Sequence, residues 1–408
     1  MTPPRRVAIT GLGLVCPHGL HAGTVFDRLV RGESAIGPLP GHDMAPAVAA
    51  RVDFDPSPFF SRLQQVGLDR VSQMAVAAAE LAMRDAGHGP LDDPERGAVY
   101  LGCGMGGAAS IESAYAAHFS GQRAAPLSVL ASMCHAPAAH VAMRQHFTGP
   151  AMTYSVACAS SGIALGEAAR AIASGEVDLA LAGGSEALLE PGVVGVWQAM
   201  KVLAQPDALA PGRSCRPFGL DRSGMVLAEG AAMLVLEPLE QALQRGALPY
   251  AELAGHAVRC DATHLSRPDA GGQARTMRAA LRQAGASPGE VGYCNAHGTG
   301  TRAGDAVEAQ ALRTVWGSDL SRLRVGSTKA LHGHLLGAAG ALEAAITVLA
   351  VSRRTLPAHP CPGGADPDCG LPLVGPEGES CDDLRLAISN SFAFGGTNAT
   401  LVFRRVEA

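Results

Sequence analysis

Ser155-Val156-Ala157-Cys158-Ala159-Ser160-Ser161-Gly162 is the stretch on which the fold turns. It closes a β-rich run at 153–156, and its small residues open a helix predicted over 161–173, so it marks a strand-to-helix junction of an α/β protein. A cysteine there stands at the positive end of a helix, which favours the thiolate over a thiol whose ordinary pKa is about 8.5. The small neighbours leave room for a bulky group to approach the sulfur. A cysteine taken alone is most often a buried hydrophobe, and that reading suits Cys103, Cys215, Cys260 and Cys294.

Outward from this junction the chain says the same thing twice. In the first half a β-rich run at 6–14 precedes a helical segment at 74–86, a strand at 98–101 and a glycine-rich loop at 102–107. In the second a strand at 250–258 precedes a helix at 273–284, a strand at 291–295 and a glycine-containing loop at 297–300. The junction at 153–173 has its counterpart in a strand at 324–327 and a helix at 340–352, and the halves close with apolar strands at 231–236 and 399–403. Alternation of strand and helix points to parallel sheets covered by helices. The boundary falls at 238–248, where charge and turn residues rise. Two unrelated α/β patterns would look alike at this level, and the motifs have to decide.

Composition narrows the function. The chain has 408 residues, 47% of them hydrophobic, enough for a large core or two fused ones. A net charge of −5 with sparse charged residues gives no basic stripe for nucleic acid. Ten cysteines are scattered without the paired clusters of a structural zinc site, which suits reduced thiols in a cytoplasm. Arg5 and Arg6 before an apolar stretch resemble a targeting signal, but Gly11, Gly13 and Pro17 interrupt it, so a buried strand is expected. The apolar stretch 338–351 carries Glu343 and is shorter than the roughly 20 residues that span a bilayer, so no membrane crossing is expected.

Two further motifs bring histidine to strand ends. Asn295-Ala296-His297-Gly298-Thr299-Gly300-Thr301 puts His297 in a loop whose glycines let backbone approach a ligand. Lys329-Ala330-Leu331-His332-Gly333-His334-Leu335-Leu336-Gly337-Ala338-Ala339-Gly340 puts a lysine and two histidines beside small residues opening a helix. With Asn390-Ser391-Phe392-Ala393-Phe394-Gly395-Gly396-Thr397-Asn398, these segments make the chain resemble, end to end and in order, an elongating β-ketoacyl-acyl-carrier-protein synthase of the thiolase superfamily.

The resemblance implies a thiolase-like fold of two duplicated α/β halves in an α-β-α-β-α layering, residues 1–240 carrying the nucleophile and 249–408 both histidines. It implies that Cys158 takes an acyl chain from the phosphopantetheine arm of a carrier protein and is then attacked by the carbanion of a decarboxylating malonyl thioester. His297 and His334 would stabilise the enolate oxygen, a role often contributing roughly 3–4 kcal/mol per donor. Backbone N–H groups of Cys158 and Phe394 would hold the second oxyanion. Lys329 and Glu308 would set charge and orientation, and Thr299 and Thr301 would hold the pantetheine arm. Phe392 and Phe394 read either as core or, for Phe394, as a gate. Ala393 stands where the family usually has glycine, and Gly300 where many members have serine, the latter expected to be neutral. Ile111 matches a position lining the acyl pocket.

No metal and no bound organic cofactor is expected. The implied partners are an acyl carrier protein and a second subunit, either an identical copy or a chain-length-factor-like homologue, with no nucleic acid and no membrane. A thiolase would need a second reactive cysteine near residues 392–397. A starter condensing enzyme would more often pair cysteine with histidine and asparagine, and a noncatalytic chain-length partner would lack Cys158. A cysteine hydrolase remains open on Cys and His alone and is separated by carbon dioxide release.

Overall fold

The computed structural model describes residues 4–40 and 47–407. Ten strands form one sheet: β1 (Val7–Val15), β2 (Gly97–Gly102), β3 (Ala151–Tyr154), β4 (Leu179–Glu186), β5 (Gly230–Pro238), β6 (Ala251–Cys260), β7 (Tyr293–Asn295), β8 (Arg324–Gly326), β9 (Leu386–Phe392) and β10 (Thr397–Arg404). Their order is β8-β7-β9-β10-β6-β1-β5-β4-β2-β3. Read outward from the centre, the first five strands run 1-5-4-2-3 and the last five 6-10-9-7-8, the same order shifted by five. Within the sheet the halves pair where Ala8 and Ile9 of β1 face Glu252 and Ala251 of β6.

The expectation of parallel sheets is corrected to mixed ones. β2 runs parallel to β3 and β4, and β7 to β8 and β9. The closing strands are antiparallel: β5 to β1 and β4, β10 to β9 and β6. For β10 the reason is a short connection. Between Phe392 and Thr397 only residues 393–396 are available, with Gly395 and Gly396 at positive φ, which makes a hairpin and leaves no room for a crossover helix.

Six helices make the layers. α1 (Arg70–Asp85) and α2 (Ala136–Gln145) pack on the first five strands, α4 (Ala270–Gln283) on the last five with α5 (Arg302–Trp316) against it. α3 (Ser160–Ser174) and α6 (Ala339–Arg353) touch strands of both halves and form the middle layer, so the arrangement is α-β-α-β-α. The glycines interrupting β1 follow from this packing, since a Cβ on Gly13 would stand 1.8 Å from the Ala78 carbonyl oxygen of α1. Among the described residues, Leu336–Arg353 is the one helical stretch long and apolar enough for a bilayer, and 89% of it is buried inside the protein.

Candidate active site

Cys158 sits in a 3-10 turn, Ala157–Ala159, directly before α3. Ala157 holds φ +44, a strained angle that a small residue tolerates, and this sharp turn presents the sulfur. Cys158 is 3% exposed, and burial pushes its thiol up to about 12, outweighing the helix terminus and the nearby Lys329 charge that favour the thiolate. At neutral pH the resting nucleophile is therefore a thiol, which must lose its proton as it attacks.

His334 stands within reach of that proton. Its Nε2 lies 3.0 Å from Cys158 Sγ. A strand-like bridge fixes the residue, with His334 N donating to Val226 O at 2.7 Å and Ala228 N to His334 O at 3.0 Å. His297 follows β7, and its ring stands edge-on to that of His334 at 5.5 Å between centroids and 6.0 Å from Phe392. The sulfur and one ring nitrogen from each histidine lie within 4.8 Å of one another. Burial, then the Lys329 charge, hold both imidazoles well below the usual histidine range, so they are neutral. His332, two residues before His334, is a satisfied core residue bonded to Gly333 O and Thr328 Oγ1.

Glu308 and Lys329 are both buried here but are not partners of each other. The Glu308 carboxylate accepts from His297 N at 2.9 Å and Gly298 N at 2.8 Å, and from Asn390 Nδ2 at 3.3 Å, so it shapes the His297 loop. Lys329 Nζ forms an ion pair with Glu343 of α6, both fully buried. Burial pushes Glu343 up to about 7 against that cation. The sequence reading missed Glu343 as a site residue, although a single carboxylate in an otherwise apolar helix was a signal.

A cavity of about 170 Å³ reaches the sulfur, lined by Cys158, His297, His334, Thr299, Thr301, Phe392 and Phe394 and by the segment from His264 to Pro268. Thr299 Oγ1 and Thr301 Oγ1 are 3.0 Å apart. Gly300 between them is not neutral: at φ +82, with a hypothetical Cβ 2.8 Å from Gly224 O, a serine would be strained in this backbone. The Phe394 ring lies 6.3 Å from that of Trp197, which joins the apolar cluster around Cys158 with Leu188, Val194 and Leu336. Ile111 is half-buried on the helix Ala108–Phe119 and lies outside the lining of this cavity.

A buried thiol and two neutral imidazoles at the junction of two duplicated α/β halves define a condensing acyltransferase of the thiolase-like class. The chain matches the models "Beta-ketoacyl synthase, N-terminal domain" over residues 4–242 and "Beta-ketoacyl synthase, C-terminal domain" over residues 250–360. The chain belongs to the β-ketoacyl synthase family. It is 40% identical over 411 residues to Nodulation protein E of Rhizobium sp. (strain N33), covering 98% of this chain and 100% of that one. It is 37% identical to 3-oxoacyl-[acyl-carrier-protein] synthase 2 of Coxiella burnetii, covering 98% and 99%. A ketosynthase of a type II polyketide system, solved with its acyl-carrier protein, superposes with a TM-score of 0.91 at 31% identity, over 99% of this chain and 100% of that one.

Proposed function

We propose that this chain is an elongating 3-oxoacyl-acyl-carrier-protein synthase, acting in fatty acid or polyketide assembly, with Cys158, His297 and His334 as its catalytic residues. The observation that carries the reading is the trio itself: one sulfur and two imidazoles within 4.8 Å, inside a chain of this family. In the first step Cys158 sulfur attacks the acyl thioester of the carrier's phosphopantetheine. The C–S bond to the carrier breaks, and the thiol proton passes through His334 Nε2 to the departing sulfur. In the second, malonyl thioester loses its carboxylate as carbon dioxide, and the electron pair left behind becomes an enolate. Ring N–H groups of neutral His297 and His334 donate to the enolate oxygen. Its carbon attacks the Cys158 thioester, a new C–C bond forms, and the cysteine sulfur leaves with the electron pair of the C–S bond.

Backbone N–H groups of Cys158 and Phe394 hold the oxyanion of each tetrahedral intermediate, and the Phe394 ring, facing Trp197, gates the acyl side. Thr299 and Thr301 bind the pantetheine arm. Lys329, with Glu343, keeps both histidines neutral and favours the thiolate, and Glu308 positions His297. Thioester and carboxylate supply the reactivity, so the mechanism uses neither metal nor organic cofactor, although a thiolate and two imidazoles also suit a soft cation such as zinc.

The chain divides into units 1–240 and 249–408, acts in the cytoplasm, and meets an acyl carrier protein. It works as a homodimer or with a chain-length-factor-like homologue. Support for a second subunit comes from the sheet edge β3, with Met152 exposed, and from exposed Phe119, Val129 and Leu130 on the helices Ala108–Phe119 and Ser128–Ser132. Sedimentation as a monomer would count against it. Intact-mass analysis tests the assignment: each acyl carrier offered should add its acyl mass at Cys158, and malonyl carrier should then discharge it. An adduct at another cysteine would overturn the reading.

A further inference from the structure

Outside the condensing site a second pair of sulfurs meets. Cys103 directly follows β2, and Cys134 stands two residues before α2. The turn after β2 packs on the segment leading into α2: Gly107 N donates to Ser132 O at 3.1 Å, and a Cβ on Gly106 would lie 3.1 Å from Cys134 N. In this contact the two thiols face each other, and Cys134 Sγ donates to the carbonyl of Gly104, the residue after Cys103, at 3.9 Å. Both are free; Cys103 is buried and Cys134 half-buried.

The two are not equivalent. The groups facing the pair are Ser155 beside the nucleophile turn, His135 on the segment of Cys134 itself, and Glu186 from β4. Contact with Cys103, helped by Ser155, draws the Cys134 thiol below the ordinary thiol range, while the same contact and burial push Cys103 above it. A reachable thiolate backed by a buried thiol is the arrangement of an attacking and a resolving cysteine.

We propose that Cys134 and Cys103 form an oxidisable dithiol, a modification site separate from the condensing cysteine. Cys134 sulfur attacks one oxygen of a hydroperoxide, the O–O bond breaks, and water or alcohol leaves, giving a sulfenic acid. Cys103 sulfur then attacks that sulfur, the S–O bond breaks and water leaves, so two thiols are oxidised to one disulfide as one peroxide is reduced. The bond would act on a turn already tied to the nucleophile region. Gly104 N and Met105 N share the Glu186 carboxylate with Gly337 N at 2.8, 3.0 and 2.9 Å, and Leu336 packs in the cluster of Cys158.

The test uses the full chain carrying Cys158→Ser, treated with one equivalent of hydrogen peroxide and then alkylated. The expected result is loss of two hydrogens' mass, a linked peptide pair containing Cys103 and Cys134, and return of both thiols on reduction. Cys103→Ala should abolish the link and leave a trappable sulfenic acid on Cys134; should that variant fail to fold, Cys134→Ser must abolish the link instead. Before oxidation, alkylation of Cys134 should reach its half-maximal rate below pH 8.5. Both thiols remaining alkylatable after peroxide, or a link to any other cysteine, would overturn the proposal.

Discussion

Replacing Glu308 with alanine separates the two halves of the reaction. Its carboxylate is the acceptor for two buried backbone N–H groups, His297 N at 2.9 Å and Gly298 N at 2.8 Å. Leaving a buried donor unsatisfied costs about 1–3 kcal/mol, so the loop carrying His297 is destabilised by roughly 2–6 kcal/mol in its present geometry. At about 1.4 kcal/mol per factor of ten, even the lower figure displaces the imidazole from its working position in most molecules. His297 acts on the malonyl enolate, whereas His334, held by Val226 and Ala228, stands at the sulfur. Loss of one oxyanion donor costs about 10²–10³ in rate. Glu308→Ala should therefore lower malonyl decarboxylation and condensation by about that factor, while acylation of Cys158 by acyl carrier protein changes less than about tenfold. Rapid-quench measurement of both partial reactions, on protein whose folding is verified by thermal melting, is the assay. Equal losses in the two steps, or unimpaired decarboxylation, would refute the reasoning.

Alkylation of Cys158 by iodoacetamide should rise about tenfold per pH unit from pH 7 to 10, because a thiol held near 12 gains thiolate throughout that window; a plateau near pH 8.5 would contradict its burial. Lys329→Met removes the cation that lowers both histidines and the cysteine, so the histidine titrations seen by NMR should move up and acylation should slow at pH 7. Ile111→Gly should lengthen the accepted acyl chain, and Trp197→Ala, which opens the cluster beside Cys158, should shift the profile the same way in competition assays with graded acyl carriers; an unchanged profile would refute each assignment.

Much of this was legible in the residues. The strand-to-helix junction announced Cys158, and the repeated order of elements announced the duplicated fold, because burial on both faces writes period and length into the sequence. What escaped was set by contacts distant in the chain. His334 rather than His332 came from the family resemblance alone, because the bridge to residues 226–228 that holds it at the sulfur is encoded by no local pattern. Glu343 was visible as a lone charge interrupting an apolar stretch, but its partner Lys329 lies outside that helix, so the pair appears only when both are buried together. The antiparallel run of β10 beside β9 could have been read from the four-residue link after Phe392, which is too short for a crossover. Ile111 was placed by matching position in a motif, since no local pattern marks which residue of that helix faces an acyl chain.

The most direct measurement counts carbon dioxide against β-ketoacyl product, using acyl and carboxyl-labelled malonyl carriers with the wild-type chain and with Cys158→Ala. The wild type should release one carbon dioxide for each new C–C bond, and the variant should form no product. Product from Cys158→Ala, or product without labelled carbon dioxide, would contradict condensation through this sulfur.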